Sequence, residues 1–283
     1  MKQNYLDFII CGAGASGLLL LKAIREESFF NEKSILIIEK EIKNVNDRTW
    51  SYWESPNGSF DSILSKKWSK ANFCSEDFDS DFDLNPYQYK MLRSAAFYQS
   101  IRNKYSKLKN TIFLHAEVKN IDSKNIVTEV ITSEGKFQSK KVFNSFFDPK
   151  PMINQKKYPV LQQHFVGWFI KTKKPSFDSS KVFFMDFNIP QVQETRFIYV
   201  LPIDKHNALV EYTLFSENLL HFDDYETGIK AYLDSKGITE YEIKEKEQGN
   251  IPMACVPFEM INCGSLLHMG SAGGWTRARV WDT

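Results

Sequence analysis

One stretch near the N-terminus constrains the fold more than any other part of the sequence. An apolar run over residues 6–11 has the length of a buried parallel strand and ends at a glycine. The turn Gly12-Ala13-Gly14-Ala15-Ser16-Gly17 follows, then a helical pattern over 18–30 and a second buried strand over 34–39 that ends in an acid. This order of strand, glycine turn, helix, strand and acid predicts a Rossmann-like α/β unit that binds a dinucleotide.

Each glycine and the acid in this stretch have a physical reason. Gly12 permits the tight turn, Gly14 lets the backbone approach a pyrophosphate, and Gly17 lets the helix pack closely against the strand. The amides at the helix N-terminus then face the anion. Glu39 lies 22 residues after Gly17, where it can accept hydrogen bonds from an adenosine ribose. The alternative is a tight turn in an α/β protein that binds no ligand.

Composition excludes several classes of function. The chain has 283 residues, with 36 Lys and Arg against 35 Asp and Glu, so its net charge gives no reason to expect nucleic acid as a partner. Its four cysteines form no CxxC pair, which favours reduced thiols and a cytoplasmic location. The five histidines show no ligand spacing, so no metal site is predicted.

The rest of the chain favours FAD over NAD. Residues 110–147 have the pattern of a strand meander instead of alternating helices and strands, as in FAD-binding domains of the hydroxylase and reductase type. Residues 85–105 have the spacing of an amphipathic helix. We therefore expect a discontinuous FAD-binding domain, and this domain comprises residues 1–50, 85–150 and 260–283.

A second domain is predicted from four strand patterns and one helix. The strand patterns cover 164–171, 181–187, 196–201 and 208–215, and a capped helix covers 224–236. We assign residues 51–84 and 151–259 to this sheet-based substrate domain. An aromatic content of 14% exceeds what a core requires and suits a flat, apolar or cationic ligand.

Four segments together resemble the flavoprotein lycopene cyclases of bacteria and plants. They are the stretch from Gly12 to Glu39, Arg48-Thr49-Trp50-Ser51-Tyr52-Trp53-Glu54, the strand pair with Tyr199-Val200-Leu201-Pro202 and Leu209-Val210-Glu211-Tyr212-Thr213, and Gly270-Ser271-Ala272-Gly273-Gly274. The Arg-Thr-Trp segment and the Leu-x-Glu-x-Thr strand are the more specific of the four. The sequence is thus similar to this family over nearly its whole length.

The resemblance implies a reaction without net redox change, in which reduced FAD supports the acid-catalysed cyclisation of linear carotene ends to ionone rings. NADPH is then the expected reductant, and lycopene or a related carotene is the expected substrate. The enzyme is expected to associate peripherally with a membrane. Glu211 matches the first acid of the family's paired-acid motif, and Tyr212 stands where the second acid is expected. The resemblance also implies the remaining site residues: Arg48, Gly270, Gly273 and Gly274 for the cofactor, and Trp50, Trp53, Tyr212 and Thr213 for the substrate.

The residues around Glu211 support the same role independently. Strand periodicity puts Glu211 on one face with Leu209, Thr213 and Phe215, a largely apolar surface. Burial there raises the pKa of the carboxyl and keeps a proton available for general acid catalysis. The alternative is an exposed carboxylate paired with a lysine. For Trp50 and Trp53 the alternative role is core packing, and for Arg48 it is a simple salt bridge.

Other functions with a similar architecture remain open at this level. An FAD-dependent monooxygenase or isoprenoid reductase is one alternative, and a non-catalytic flavin or carotenoid binder is another. Residues 277–283 depart from the family's Pro-Ser-Thr-Gly-Tyr-like continuation, and the family carries further helices after this point. The resemblance therefore predicts a C-terminally shortened member of the family, with reduced or no activity.

Overall fold

The structure is a computed structural model that describes residues 5–124, 126–157, 159–254 and 258–274. The chain divides into two compact units. The first unit comprises Met1–Val45, Ala95–Pro159 and Ala254–Thr283, and the second comprises Asn46–Ser94 and Val160–Met253. Residues 277–283, where the sequence departs from the family pattern, lie outside the described residues.

Helices and strands alternate only in the first part of the chain. The helices are α1 (Ala15–Glu26), α2 (Ser94–Tyr105), α3 (Lys150–Asn154) and α4 (Phe222–Ser235). The strands are β1 (Tyr5–Cys11), β2 (Ile35–Glu39), β3 (Thr49–Glu54), β4 (Lys66–Trp68), β5 (Lys70–Ser75), β6 (Phe78–Asp83), β7 (Gln88–Arg93), β8 (Thr111–His115), β9 (Val118–Lys124), β10 (Val127–Thr132), β11 (Gly135–Asn144), β12 (Val160–Thr172), β13 (Lys181–Asp186), β14 (Thr195–Pro202), β15 (Asn207–Ser216), β16 (Tyr241–Ala254) and β17 (Leu266–His268).

The first unit is built on a mixed sheet of order β8-β2-β1-β11-β10-β9, with β17 paired to the end of β11. β1 is parallel to both β2 and β11, and α1 forms the crossover between β1 and β2. Ile9, Ile10 and Ile38 are fully buried, as expected for central parallel strands that are covered on both faces. The β9–β11 meander is antiparallel. The sequence prediction of an α/β dinucleotide-binding fold is confirmed.

The second unit holds two sheets. Its larger sheet has the order β16-β12-β15-β14-β13-β5-β6, and its smaller sheet has the order β3-β7-β4. β12 and β14 both pair with β15 in antiparallel register, which sets Gly167 and Tyr199 on either side of Glu211. Because directly paired residues project to the same face of a sheet, these three residues form one row across the sheet.

The two faces of the larger sheet have different coverings. On one face α4 packs against the apolar side chains of β12, β14 and β15, and Trp168, Val210 and Tyr212 lie in this cluster beside Ile229 and Leu233 of the helix. Most of these side chains are almost fully buried. The other face carries Glu211, whose neighbours alternate with the helix-side residues as a strand requires.

One helix prediction is wrong in its first half. Residues 85–105 do not form a single helix, because Gln88–Arg93 is β7 and only Ser94–Tyr105 is helical. β7 is the central strand of the three-stranded sheet, and Tyr89, Met91 and Leu92 are buried there by pairing with β3 and β4. This long-range pairing overrides the local helical spacing.

The same pairing moves the domain boundaries. Residues 46–50 and 85–94, which we assigned from the sequence to the FAD-binding domain, fall in the second unit with β3 and β7. Residues 151–159 and 254–259 fall in the first unit instead of the second. The discontinuous arrangement itself agrees with the division seen in the structure. The functions assigned to the two domains stay predictions.

Candidate functional site

The glycine turn of the first unit is shaped by close contacts that only glycine permits. Gly12 has a positive φ of 103°, and a Cβ atom there would lie 2.1 Å from Ser145 Oγ. A Cβ atom on Gly17 would lie 2.0 Å from the carbonyl oxygen of Gly12. A Cβ atom on Gly14 would meet no atom within 4 Å. The turn is therefore tight on the protein side and open at Gly14, where a ligand would approach the backbone.

The start of α1 presents backbone amides without an acidic side chain. Gly14 is the N-cap, no side chain caps the helix, and its first turn contains no Asp or Glu. Uncapped amides and the positive end of the helix dipole favour an anion at this place. Glu39 accepts hydrogen bonds from the backbone amides of Ala13 (2.9 Å) and Glu41 (3.1 Å). A carboxylate has further lone pairs, so Glu39 retains the capacity to accept a ribose hydroxyl.

The C-terminal glycine segment lies against the same turn. Gly270 begins a short 3₁₀ helix that includes Gly273, and Gly274 ends it in the left-handed conformation. Gly270 has a positive φ of 59°, and a Cβ atom there would lie 2.2 Å from Ser16 Oγ. Both segments thus belong to one backbone cradle in the first unit. The cradle fits a dinucleotide phosphate, because it combines open backbone, uncapped amides and a nearby acid.

Glu211 of β15 lies in a cavity of about 240 Å³ within the second unit. Its side chain is partly exposed to this cavity, and Thr213 donates a hydrogen bond to its Oε1 atom at 2.8 Å. Burial of the carboxyl by the surrounding protein and the nearby Glu247 raise its pKa to about 8, although the Thr213 hydroxyl lowers it. Glu211 therefore carries a proton near neutral pH, as a general acid does.

Aromatic rings form much of the wall around this carboxyl. Trp50, Tyr89, Phe165 and Tyr199 line the cavity together with apolar residues of β14 and β15. Burial is the main cause that raises the pKa of the Tyr89 and Tyr199 hydroxyls, and the charge of Glu211 raises both further. Both tyrosines are consequently neutral at physiological pH. The arrangement can transfer a proton into an apolar space and stabilise a cation by aromatic faces.

The structure separates the predicted substrate residues. Trp50 lines the cavity. Thr213 is fully buried and contacts Glu211, so it holds the acid. Tyr212 lies on the opposite face under α4, where its hydroxyl accepts a hydrogen bond from Arg196 Nη1 at 3.2 Å. Successive strand residues alternate between faces, so a substrate role for Tyr212 beside Glu211 does not fit this geometry.

Two further predicted residues do not line the cavity that holds Glu211. Trp53 is 45% exposed and packs on Tyr89 and Phe184, with ring centroids 4.8 and 5.1 Å apart. Arg48 belongs to the second unit, donates through Nη1 to the Asp47 carbonyl at 2.6 Å, and lines a different cavity of about 500 Å³. Its neighbourhood in the second unit therefore gives no support to its predicted contact with cofactor phosphate.

Sequence reasoning missed three residues beside Glu211. Glu247 of β16 and Thr49 of β3 line the same cavity, and the Thr49 hydroxyl donates to Glu247 Oε2 at 2.6 Å. Gly167 lies opposite Glu211 on β12. Thr49 belongs to the Arg-Thr-Trp segment, which was a signal for it. Glu247 and Gly167 come together with Glu211 only through long-range strand pairing.

The described ranges hold neither a candidate metal cluster nor a membrane-spanning helix. Residues 5–124, 126–157, 159–254 and 258–274 contain no group of three or more His, Cys, Asp or Glu side chains arranged to hold a metal ion. None of the helices in these ranges combines the length and the hydrophobicity needed to cross a bilayer.

Solved structures similar to this chain share its fold at low sequence identity. A geranylgeranyl bacteriochlorophyll reductase-like protein from Thermoplasma acidophilum has a TM-score of 0.69 and 12% identity over 96% of this chain and 72% of its own. A p-nitrophenol 4-monooxygenase from Pseudomonas putida has a TM-score of 0.68 and 13% identity, with 95% and 73% covered. A flavin-dependent brominase has a TM-score of 0.65 and 14% identity, with 95% and 72% covered. The fold is thus the FAD-binding Rossmann-like fold of reductases, monooxygenases and halogenases.

Sequence comparison gives a more specific result. No curated protein matches the chain at a significant level. The sequence profile of the family described as lycopene cyclase protein matches residues 7–278. This match covers nearly the whole chain and includes the glycine turn, the Arg-Thr-Trp segment and the strand with Glu211. The chain therefore belongs to the lycopene cyclase family.

Proposed function

We propose that this chain is an FAD-dependent enzyme that cyclises the ends of a linear carotene such as lycopene to β-ionone-type rings, as an isomerase without net redox change. The observation that carries the proposal is Glu211, a carboxyl with a pKa of about 8 in a cavity lined by aromatic rings. Membership of the lycopene cyclase family supports the same reaction and substrate.

Glu211 acts as the general acid in this proposal. Its O–H bond breaks and the π electrons of the terminal alkene form a new C–H bond, which leaves a tertiary carbocation. A second alkene of the same chain then attacks this cation, so that its π electrons form the C–C bond of the ring and the positive charge moves to a ring carbon. Trp50, Tyr89, Phe165 and Tyr199 then stabilise the positive charge by about 0.5–2 kcal/mol for each favourably placed ring. The aromatic and aliphatic part of the cavity lining would limit the access of water, which would otherwise capture the cation as an alcohol.

The size of the cavity suits one end of the substrate. Its volume of about 240 Å³ lies below the roughly 300–1,000 Å³ of sites that enclose a drug-sized ligand. We therefore propose that a single end group enters beside Glu211 while the rest of the polyene stays outside this cavity. A polyene of this kind dissolves in lipid, so we also propose that the chain works in the cytoplasm at a membrane surface.

FAD is the cofactor that we propose for the first unit. Gly12, Gly14 and Gly17 would hold its pyrophosphate with the N-terminus of α1, Glu39 would bind its ribose, and the segment with Gly270, Gly273 and Gly274 would contact it through backbone amides. After reduction by NADPH, the electron-rich flavin would stabilise positive charge electrostatically.

The test is an anaerobic assay of the purified protein with lycopene in liposomes, FAD and NADPH. The 283-residue chain is assayed in parallel with any longer product of its reading frame. We expect ring-containing carotene by chromatography, with NADPH consumed only in the amount that reduces the flavin. Stoichiometric NADPH consumption without oxygen would instead indicate a reductase, and consumption that appears only in a parallel assay in air would indicate a monooxygenase. Bound yellow flavin with unchanged lycopene in both chains would contradict the catalytic proposal.

A further inference from the structure

A second carboxyl faces the cavity that holds Glu211. Glu247 lies on β16, which is separated from β15 by the single strand β12. Its proximity contributes to the raised pKa of Glu211. Burial raises the pKa of Glu247 as well, and this effect opposes the hydrogen bond from Thr49. Two carboxyls that share one poorly solvated site bind a single proton more readily than they both ionise.

Gly167 is the spacer that allows these two acids to approach. It lies on β12 directly opposite Glu211. A Cβ atom at this position would lie 3.2 Å from Glu247 Cγ, 3.5 Å from Glu211 Cβ and 2.9 Å from Leu209 Cδ1. Any larger residue would therefore stand between the acids. The missing side chain of the middle strand lets carboxyls from two non-adjacent strands meet over it.

A polar chain fixes the orientation of Glu247. Arg93 Nη1 donates to Thr49 Oγ1 at 3.2 Å, and the Thr49 hydroxyl donates to Glu247 Oε2 at 2.6 Å. The Arg93 guanidinium also pairs with Glu245 and lies 4.1 Å from the centre of the Phe169 ring. Glu247 is thus held from the side of β3 and β7, whereas Glu211 is held by Thr213 of its own strand.

Cyclisation without net change of formula requires a base as well as an acid. One proton is added to the alkene and one must leave a carbon of the new ring, where the broken C–H bond supplies the electron pair of the ring double bond. The following inference rests on the proposed cyclase function. We propose that Glu247 is the carboxylate that accepts this departing proton and returns it to Glu211. Glu211 thus gives one proton to the substrate and Glu247 takes a different proton from it. Transfer of a proton from Glu247 to Glu211 then restores the starting state, so that atoms and charge balance.

Several other charged and titratable groups act on this pair. Arg93 and Arg48 lower the pKa of Glu247, whereas Glu245 raises it. Tyr89 of β7 and Tyr199 of β14 face Glu211, and both are neutral because burial raises the pKa of their hydroxyls. In this proposal the proton therefore moves between the two carboxyls and not to the tyrosines.

The experiment compares Glu247→Gln with Glu242→Gln, an exposed glutamate on the same strand that pairs with Lys244. The titration of Glu211 is followed by ¹³C NMR of labelled carboxyls and assigned by its loss in Glu211→Gln. We expect Glu247→Gln to lower the pKa of Glu211 and to slow cyclisation about 100-fold, in the range of general base catalysis. Glu242→Gln is expected to leave the pKa of Glu211 and the cyclisation rate unchanged. Glu247→Asp is expected to retain part of the rate that Glu247→Gln loses.

The two readouts keep this inference separate from the proposed function. If the wild-type protein forms no ring, the proposed function fails, and the NMR titration still decides whether the two carboxyls share a proton. If the wild-type protein is active while Glu247→Gln retains its rate and the Glu211 titration, Glu247 is not the base. Retained rate with a shifted titration also overturns the base role, because it leaves Glu247 with an electrostatic effect alone.

Discussion

The two faces of β15 place neighbouring residues in opposite roles. On the helix side, Tyr212 is 6% exposed, packs under α4 and receives a hydrogen bond from Arg196. On the cavity side, Glu211 receives a hydrogen bond from Thr213, and burial together with a second acid raises its pKa. A buried polar group with a matched partner stabilises a fold, whereas a buried acid beside another acid holds a proton for chemistry. The comparison separates the two residues that the sequence presents as a pair.

The largest expected effect comes from substituting Glu211 and Tyr212 one at a time. Glu211→Gln removes the proton donor with little change in volume, so we expect cyclisation to fall about 1,000-fold while flavin binding is retained. Tyr212→Phe removes the hydroxyl that Arg196 contacts, and we expect less than a twofold change in rate with a loss of about 1 kcal/mol of stability. The measurements are product formation by chromatography and chemical unfolding. An active Glu211→Gln variant would remove Glu211 from the acid role.

The stability of the wild-type protein relative to Glu211→Gln should depend on pH. The pKa of Glu211 is higher in the folded chain than in the unfolded chain, so the folded chain binds its proton more tightly. Stability contributed by this proton is therefore present below the ordinary range of glutamate and is lost as the pH rises through about 8. Glu211→Gln cannot ionise, and we expect it to exceed the wild-type protein by about 1–3 kcal/mol at pH 9. Denaturant unfolding at pH 6 and pH 9 measures this, and equal curves at pH 9 would contradict it.

A pair of tryptophans tests whether the cavity face supplies aromatic stabilisation. Trp50 lines the cavity, whereas Trp53 packs on Tyr89 and Phe184 without lining it. We expect Trp50→Leu to slow cyclisation about tenfold, the equivalent of one favourable cation–π contact, and Trp53→Leu to slow it much less. Steady-state rates at equal flavin occupancy give the comparison. Equal losses in both variants would show that the effect comes from packing.

Thr213 gives a smaller effect with a defined sign. Its hydroxyl lowers the pKa of Glu211 by stabilising the carboxylate. Thr213→Val should therefore raise that pKa and shift the alkaline decline of the rate upward by about one pH unit. Thr213→Ser keeps the hydroxyl and serves as the control. A pH profile of the rate for the two variants decides the matter, and a downward shift in Thr213→Val would contradict the assignment.

The smallest expected effect uses two glycines, one on each side of the sheet. A Cβ atom on Gly228 of α4 would lie 2.9 Å from Tyr212 Cζ, so overpacking costs about 1–3 kcal/mol and the better helix propensity of alanine offsets about 1 kcal/mol. We expect Gly228→Ala to lose about 1 kcal/mol of stability with an unchanged rate. Gly167 lies between the two acids, so the added Cβ atom of Gly167→Ala should stand between them and lower the cyclisation rate. Thermal unfolding and product assays separate these outcomes.

The sequence predicted local structure well where neighbours along the chain decide it. The glycine turn and its flanking strands were correct, because tight turns and buried parallel strands leave short-range signals. The helix after the turn was also correct in kind, but α1 spans Ala15–Glu26 and not residues 18–30. The four main strands of the larger sheet were also correct within a few residues. The helix expected over residues 85–105 failed because β7 is stabilised by pairing with β3, almost forty residues away.

The candidate site was predictable only in part for a related reason. Glu211 could be found from its strand pattern and its family motif, but Glu247 could not. Ile243 packs on the helix side of the sheet, and Glu247 lines the cavity on the other side. Residues four apart on a regular strand share a face, so the alternation is interrupted between them. No periodicity argument would have placed Glu247 beside Glu211.

The division of the chain has a consequence for its engineering. The backbone passes from one unit to the other four times, next to residues 45, 94, 159 and 253. Neither unit can therefore be exchanged as a single cassette, since every replacement must rejoin several ends. A chimera that exchanges the cavity with Glu211 but keeps the glycine cradle has to rejoin the backbone at all four places.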